Sequence, residues 1–253
     1  MKLRKIHIII ICIILCIILI PLGNYMDTYK TKKVVGALKK HDTQELETIL
    51  KKCRPSDLNR NEAGVFEPIS NIIQAEDWRP LEYACANGTV KEMKMLIDKG
   101  ADVNIGGSYL LEIALTRGND PFKAADLLIA NGIDVDKGRK GVNYFEGATP
   151  DIETREEKEA QLKTFKSIVE HSKKKNTIRG FIAISAHEER PYVGFLEYAI
   201  MTNDIDAVKM LVEDLNFDVN RKSKENGYPL SLAKELGEEK ICEIFLISMG
   251  AHE

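Results

Sequence analysis

The stretch 80–104 limits the possible folds of this 253-residue chain more than any other part of it. Two short amphipathic runs flank Asn87-Gly88, and the stretch closes on the sequence Gly-Ala-Asp-Val-Asn. Gly100 can adopt the left-handed backbone conformation that ends a helix. Asp102 and Asn104 favour hydrogen-bonded turns. The stretch therefore predicts two paired elements that are followed by a defined turn.

The same pattern recurs along the chain. It has three marks: a Leu-x-x-Ala opening, an apolar pair such as Leu-Ile about 15 residues later, and an Asp-Val-Asn close. The predicted repeats span about 34–59, 81–104, 111–136, 150–176, 196–220 and 230–253. The first and fourth repeats are degenerate. The third is two residues longer between opening and pair, and Pro121 can absorb that difference at the start of a helix.

These marks resemble the ankyrin repeat, which has an alanine-rich first helix, a glycine turn, a second helix rich in Leu and Ile, and a Gly-Ala-Asp-Val-Asn exit. The resemblance implies an all-α solenoid of about six helix-turn-helix units with short hairpin loops over residues 34–253. A single unit cannot bury its apolar stripe, so stacking must join the stripes into one core. We expect Leu81, Ala84, Leu96 and Ile97 to be buried, with their equivalents in the other units.

The fourth repeat is expected to differ from the others. Its opening falls in residues 153–159, a segment that favours helix but is almost wholly polar. We therefore predict an extended, solvent-covered first helix that runs into the second helix. An aromatic loop at 141–147 precedes this helix, and an insertion at 177–193 follows it.

The N-terminus predicts attachment to a membrane. Residues 1–5 form a basic tail, and residues 6–22 form an apolar run that is long enough to be a transmembrane helix. No Ala-x-Ala pattern follows the run, so an uncleaved signal anchor is preferred to a cleaved leader. Residues 23–33 are then a linker. The short basic tail favours a single-pass protein whose large domain is extracytoplasmic, although lysines after the run nearly balance the charge.

Composition and motifs argue against several classes of function. The net charge of −3 does not point to a nucleic acid partner. Cys53, Cys85 and Cys242 lack metal-ligand spacing, and we expect them to be small buried residues. The five histidines are scattered, and no zinc motif, phosphate-binding loop or nucleophile elbow is present. We therefore predict no metal site, no cofactor and no enzymatic activity.

Three predicted first helices carry glutamate where the ankyrin family usually has histidine: Glu82, Glu112 and Glu197. A glutamate near a helix start can accept hydrogen bonds from backbone N–H groups, so a structural role is the preferred interpretation. A row of carboxylates that binds a basic partner or a cation is an alternative. A catalytic pair is the least supported option, because no nucleophile or third group accompanies the carboxylates.

The resemblance also implies where a partner binds. In ankyrin arrays, partners usually contact the concave face, which is built from loop tips and from the last exposed positions of the first helices. Carried over by position, the predicted partner-binding residues are Lys39, Lys40, Asn87, Tyr109, Thr116, Arg117, Tyr144, Phe145, Met201, Thr202, Tyr228 and Glu235. Arg221 is a further loop-tip residue. Aromatic residues and arginine are the better candidates for binding hot spots.

These features favour a non-enzymatic binding module: a monomeric ankyrin domain, tethered to a bacterial membrane through residues 6–22, that binds a protein partner. Resemblance to ankyrin-type immunity proteins suggests a narrower version, in which the domain neutralises a toxin that attacks the envelope. Two rivals stay open. One is an enzyme, or enzyme subunit, with a site around 144–154 and 177–193. The other is a structural membrane assembly factor without a discrete ligand site.

Overall fold

Short helices joined by tight turns make up most of the described structure. The computed structural model describes residues 28–61, 78–105, 110–136, 154–173, 178–185, 188–223, 226–236 and 241–252. Its helices there are α1 (28–39), α2 (Thr43–Leu50), α3 (Pro55–Leu58), α4 (Pro80–Asn87), α5 (Val90–Asp98), α6 (Leu110–Arg117), α7 (Pro121–Ala130), α8 (Arg155–His171), α9 (Phe195–Met201), α10 (Ile205–Lys209), α11 (Pro229–Leu236) and α12 (Ile241–Ser248). Its strands are β1 (Ile178–Ser185) and β2 (Glu188–Val193).

Several helix starts carry side chains that satisfy the otherwise unpaired N–H groups of the first turn. Before α2, Asp42 Oδ1 accepts hydrogen bonds from the N–H groups of Gln44 and Glu45 at 3.0 and 2.8 Å. At the start of α5, Thr89 and Glu92 each accept a hydrogen bond from the other's backbone N–H. Such caps stabilise a helix by about 1 kcal/mol each and define where it begins.

The chain divides into two compact units. The first comprises Met1–Ile105 with Gly118–Asp120, and the second comprises Gly106–Arg117 with Pro121–Glu253. In the first unit α5 packs against both α4 and α2. In the second unit α7 packs against α6 and α8, and α11 packs against α9 and α12. Paired helices of the predicted kind are therefore present in both units.

The core of the first unit follows the apolar stripes of α4 and α5. Leu81, Ala84 and Leu96 are buried, as predicted. Ile97 is only partly buried, and Met93 is buried in its place. The stripe of α5 runs through Met93 and Leu96, which are three residues apart and share a helix face. Ile97 follows Met93 by four residues but is only partly buried, so the prediction that it is a buried core residue was wrong.

The cysteines of the described residues are structural. Cys53, Cys85 and Cys242 are free thiols, and all three are buried, which confirms the prediction. Burial raises the pKa of each thiol above its ordinary value. A thiol of raised pKa is protonated at neutral pH and is a poor nucleophile, so these residues act as small apolar side chains.

Part of the predicted linker belongs to the first helix. Residues 28–33, expected to be linker, are helical and continue into the rest of α1. The side chain of Thr31 is fully buried, and its hydroxyl donates to the carbonyl of Asp57 at 2.7 Å. Lys30 Nζ donates to the carbonyl of Lys52 at 2.8 Å and lies 3.2 Å from Asp57 Oδ2. These polar contacts with the chain around α3 hold a segment whose composition had not indicated packing.

Asparagines at the predicted exits connect successive repeats within each unit. In the first unit Asn59 Nδ2 donates to the carbonyl of Gly100 at 3.4 Å, and Asn59 Oδ1 accepts from the N–H of Asp102 at 2.8 Å. In the second unit Asn220 makes the same pair of bonds, at 3.1 and 2.8 Å, to the carbonyl of Gly250 and the N–H of His252. The exit asparagine therefore sets the register of one turn on the next.

The fourth predicted repeat contains one long helix. As predicted, its polar start runs directly into the second helix, which gives the 17-residue α8. Phe165, Ile168 and Val169 are buried on one side of α8. Lysines on α8 contact carboxylates of the neighbouring elements: Lys163 Nζ to Asp126 at 3.2 Å, Lys158 Nζ to Asp204 at 2.6 Å and Lys166 Nζ to Asp214 at 2.7 Å. The polar face of α8 is thus paired with specific partners.

The insertion after α8 departs from the all-α expectation. Strands β1 and β2 pair antiparallel, with Ile178 opposite Val193 and Ile182 opposite Arg190. The sequence of β1 is rich in isoleucine and contains phenylalanine, which are residue types that favour strands. The opening, apolar pair and close that were used to find the repeats mark helices and turns, so they could not indicate this hairpin.

The outer face of the last helix, α12, is apolar. Ile241, Ile244 and Ile247 are spaced by three residues, lie on one face, and are 50%, 64% and 51% exposed. Counted back from the buried leucines Leu96 and Leu246, α5 carries lysine at the positions equivalent to Ile241 and Ile244. The open face of α12 therefore differs chemically from the corresponding face of α5.

Several predictions fall outside the described residues: the basic tail, the anchor at 6–22, the aromatic loop at 141–147 and the start of the linker. Among the helices of the described ranges, none combines the length and the apolar character needed to cross a membrane.

Candidate partner-binding surface

The described residues predicted to bind a partner lie at the ends of first helices or in the turns beside them. In the first unit these are Lys39, Lys40 and Asn87, and all three are exposed. In the second unit they are Thr116 and Arg117 at the end of α6, Met201 and Thr202 at the end of α9, Tyr228 before α11, and Glu235 near its end. Met201 and Tyr228 are partly exposed, and the others are exposed. Tyr109, Tyr144 and Phe145 lie outside the described residues.

Two of these residues in the first unit make defined contacts. Lys39 Nζ lies 5.7 Å from the centre of the Tyr83 ring, and Lys40 Nζ lies 3.0 Å from Glu45 Oε2. A cation over an aromatic face gains roughly 0.5–1 kcal/mol at an exposed site. The Tyr83 contact therefore favours one position of the Lys39 ammonium group. Tyr83 was not predicted as a surface residue, although it stands beside Glu82 on the same first helix.

The threonines of this surface use their hydroxyl groups within their own helices. Thr116 Oγ1 donates to the carbonyl of Glu112 at 2.8 Å, and Thr202 Oγ1 donates to the carbonyl of Tyr198 at 3.1 Å. Their hydroxyl protons are therefore engaged by the backbone. In the second unit the exposed side chain of Arg117 is therefore a better candidate than either threonine to donate hydrogen bonds to a partner.

The predicted structural role of the first-helix glutamates is confirmed at Glu82. Its Oε2 accepts from the backbone N–H of Arg79 at 2.8 Å, and its Oε1 lies 2.7 Å from Arg79 Nη1. The carboxylate is thus bound by the backbone and by a guanidinium group from the residue three positions earlier. Glu112 Oε2 is buried without a hydrogen-bond partner among the described residues.

Glu197 occupies a different environment from Glu82. The residue three positions earlier is Gly194, which has no side chain to offer. Burial raises the pKa of Glu197 above its ordinary value. The N–H of Glu197 itself, the charge of Arg221 and the N–H of Gly194 oppose this rise, in that order of effect. Among the described residues, no cation pairs with Glu197 in the way that Arg79 pairs with Glu82.

A cleft of about 260 Å³ opens beside Glu197 in the second unit. Its lining residues come from the start of α9, the turn after α10, and the approach to α11: Leu196, Glu197, Leu215, Asn216, Phe217, Asp218, Arg221 and Pro229. The sequence had singled out Glu197 and Arg221 for unrelated reasons. It did not indicate that they share a cleft.

An extra residue in the fifth predicted repeat explains the local shape of this cleft. Asn220 lies nine positions after Leu211, whereas the equivalent Asn104 lies eight positions after Leu96. The chain accommodates the extra residue in a π-helical turn at Met210–Asp214, directly after α10. Turns of this kind are uncommon and are often found at functional sites. Counting the residues from the buried leucine to the closing asparagine is the sequence signal that could have located the cleft.

Residues 76–105 match the family model described as ankyrin repeat, and this match contains the stretch 80–104. This segment of the chain is an ankyrin repeat. The helix pair α4 and α5, the turn at Gly88 and the exit at 100–104 are the elements that this repeat comprises.

Two solved structures are similar to the chain as a whole. One is a chain from the structure of a predatory endopeptidase from Bdellovibrio bacteriovorus in complex with an immunity protein. It is 22% identical, with 86% of this chain and 97% of that chain covered and a TM-score of 0.53, which shows a shared fold. An ankyrin repeat protein from Leishmania major is 16% identical, with 89% and 59% of the two chains covered and a TM-score of 0.35. No curated protein matches the chain in sequence.

At neutral pH, Glu197→Gln is expected to raise the free energy of unfolding slightly, by less than about 1 kcal/mol. Because the pKa of Glu197 is raised on folding, the folded state binds the proton more tightly than the unfolded state does. The stability of the parent therefore increases as the pH falls through the folded pKa. The advantage of the variant should shrink between pH 7 and about pH 4 in urea unfolding.

Glu82→Gln is the matched control, since it removes the charge that binds Arg79. It should lower the free energy of unfolding at pH 7 because it leaves the guanidinium group without its carboxylate partner. If Glu197→Gln lowers stability at pH 7 as Glu82→Gln does, the assigned environment of Glu197 is incorrect.

Proposed function

We propose that this protein is a non-enzymatic scaffold that binds a protein partner through the exposed ends of its first helices. One observation carries the proposal: first helices bury one face and end in exposed side chains. In α4, Leu81 and Ala84 are buried and Asn87 is exposed; in α6, Leu111 and Ala114 are buried and Arg117 is exposed. Ankyrin repeats are protein-interaction scaffolds, and repeat arrays in general use extended surfaces of this kind.

Within this surface, Lys39 and Arg117 are the proposed energetic anchors. Lys39 is held over Tyr83, so less side-chain entropy is lost when a partner fixes it. Arg117 is exposed at the end of α6 and presents a planar group with five N–H donors. Arginine and aromatic residues are enriched among residues that dominate binding energies.

A narrower proposal concerns the partner and the location. We propose that residues 6–22 anchor the chain in a bacterial membrane, that the repeat domain is extracytoplasmic, and that the partner is a toxin directed at the envelope. The basic and apolar N-terminal sequence supports the anchor. The fold shared with a chain from an endopeptidase and immunity protein complex supports the kind of partner. A reporter fused after Glu253 tests the orientation, since activity only in the cytoplasm would contradict it.

The scaffold proposal predicts a stoichiometric complex between the detergent-solubilised full chain and a protein partner. Arg117→Ala and Lys39→Ala are each expected to weaken this complex about tenfold, as is common for hot-spot residues. Arg155→Ala and Lys51→Ala are the matched controls, because these side chains are 91% and 70% exposed but lie away from the ends of first helices. Dissociation constants from surface plasmon resonance would measure the differences.

Two results would contradict the scaffold proposal. One is equal affinity of the parent, Arg117→Ala and Lys39→Ala chains for the partner. The other is a loss of affinity in the Arg155→Ala and Lys51→Ala controls that matches the loss in the test variants. For the immunity role, the partner's toxic activity should fall in proportion to complex formed, and full activity of a saturated complex would exclude that role.

A further inference from the structure

We propose that the cleft beside Glu197 receives one basic side chain, an arginine or a lysine, from the protein partner. This inference rests on the proposed function, and it assigns a chemistry to one contact of the complex. The cleft lies at the start of α9 and beside the following exit, away from the last-turn residues discussed above. Its volume of about 260 Å³ suits a single long side chain and is too small for an element of secondary structure.

In the first unit, the glutamate equivalent to Glu197 already has a basic partner from its own chain. There, the guanidinium group of Arg79 lies 2.7 Å from Glu82, and both side chains are about one-fifth exposed. Glu197 stands at the position equivalent to Glu82, and Gly194 stands at the position equivalent to Arg79. The glycine leaves the guanidinium position without a side chain of its own. A partner's basic side chain would supply at Glu197 what Arg79 supplies at Glu82.

The walls of the cleft suit the stem of a long basic side chain. Leu196 and Pro229 are buried, and Leu215 and Phe217 are partly buried. Arginine and lysine side chains pack their methylene groups along apolar surface while the charged end reaches a polar group. The π-helical turn after α10 places Phe217 at the cleft, whereas the residue at this point of the second repeat's exit is the small Ala101. The extra residue and the larger side chain therefore shape this cleft in the fifth repeat.

The charges of the lining residues favour a cation over an anion. The lining set contains two carboxylates, Glu197 and Asp218, and one guanidinium, Arg221. Arg221 is exposed and makes no ion pair within 4 Å with Glu197 in the described structure. Its charge acts on Glu197 from a longer distance, and one cation does not cancel two carboxylates, so the lining keeps a net negative charge. An anion would meet two like charges. A purely apolar group would desolvate the carboxylate further without compensation.

The test uses the labelled full chain in detergent and a small probe, Nα-acetyl-arginine methylamide. Methyl signals of Leu196 and Leu215 report on occupancy of the cleft. The probe should shift both signals in a saturable manner. The citrulline analogue has nearly the same shape without the charge, and it should bind at least about tenfold more weakly. Glu197→Gln should abolish the preference for arginine, and Gly194→Arg should prevent binding by filling the site from within.

Three results would overturn the inference. These are equal binding of the arginine and citrulline probes, stronger binding of Nα-acetyl-glutamate methylamide, and no shift of either leucine signal at tens of millimolar probe. If Gly194→Arg does not fold, Glu197→Gln and the citrulline comparison still decide the question. The thermal unfolding midpoint of each variant verifies that it is folded.

The affinity of the variants for the protein partner distinguishes this inference from the scaffold proposal. If the complex depends on Arg117 but has the same affinity in Glu197→Gln and Gly194→Arg, the scaffold stands and the cleft inference fails. If the arginine probe binds as expected but no complex depends on Lys39 or Arg117, the cleft stands and the scaffold proposal fails.

Discussion

Replacing Leu96 by alanine is expected to lower the free energy of unfolding of the first unit by about 3 kcal/mol. The side chain is fully buried in α5, next to Met93 on the same stripe. Removing its methyl groups loses transfer free energy and leaves a cavity that the packed surroundings fill only in part. Trp78 is the single tryptophan of the chain and precedes α4, so its fluorescence in a urea titration reports on this unit.

Ile97→Ala is the matched control for this prediction. Ile97 is the next residue of α5, it has the same number of carbon atoms as Leu96, and it is only partly buried. Its replacement should cost about 1 kcal/mol, because less apolar surface is lost and water already reaches the site. Equal losses in the two variants would contradict the burial that distinguishes Leu96 from Ile97.

Gly100→Ala is the second substitution with a large expected effect, a loss of roughly 2–3 kcal/mol. Gly100 has a φ of +99°, a backbone conformation that residues with a Cβ atom rarely adopt. An added Cβ would also lie 2.9 Å from Cγ and 3.1 Å from Cβ of Pro55. The ring of Pro55 at the start of α3 is rigid, so the exit would have to shift away from it.

Gly132→Ala separates the two causes of this loss. Gly132 lies in the turn after α7 and has a φ of +79°, and an added Cβ would meet nothing within 4 Å. Its replacement should therefore cost only the backbone strain, about 1–2 kcal/mol. Hydrogen exchange of the α5 amides in Gly100→Ala and of the α7 amides in Gly132→Ala would measure both losses. A Gly132→Ala loss as large as that of Gly100→Ala would show that the contact with Pro55 is unimportant.

The features that could be predicted from sequence are those that depend on local chemistry repeated along the chain. Gly100 takes the left-handed conformation that its position in the exit predicted. Leu81, Ala84 and Leu96 are buried, as the spacing indicated. Ile97 was misplaced because a Leu-Ile pair marks the apolar side of a helix without saying which of the two residues faces the neighbouring helix.

The features that could not be predicted depend on departures from the repeat. The hairpin of β1 and β2 has no counterpart in the pattern that was used to scan the chain. Arg79 was not recognised as the partner of Glu82, since a pattern of helix positions does not specify which side chains form ion pairs. The cleft beside Glu197 depends on one additional residue in one repeat and on a glycine at position 194. The additional residue and the glycine are visible in the sequence only when the repeats are compared residue by residue.

The ion pairs of helix α8 affect how the number of repeats in this chain can change during evolution. Repeat arrays commonly gain or lose whole units, because identical neighbours offer interchangeable contacts. The lysines of α8 reach Asp126 on the earlier side and Asp204 and Asp214 on the later side, and these aspartates have no shared repeat position. A duplication or deletion at this point would leave lysines without their carboxylates. We therefore expect the middle of the second unit to tolerate the insertion or deletion of a whole repeat less well than the segments on either side of it.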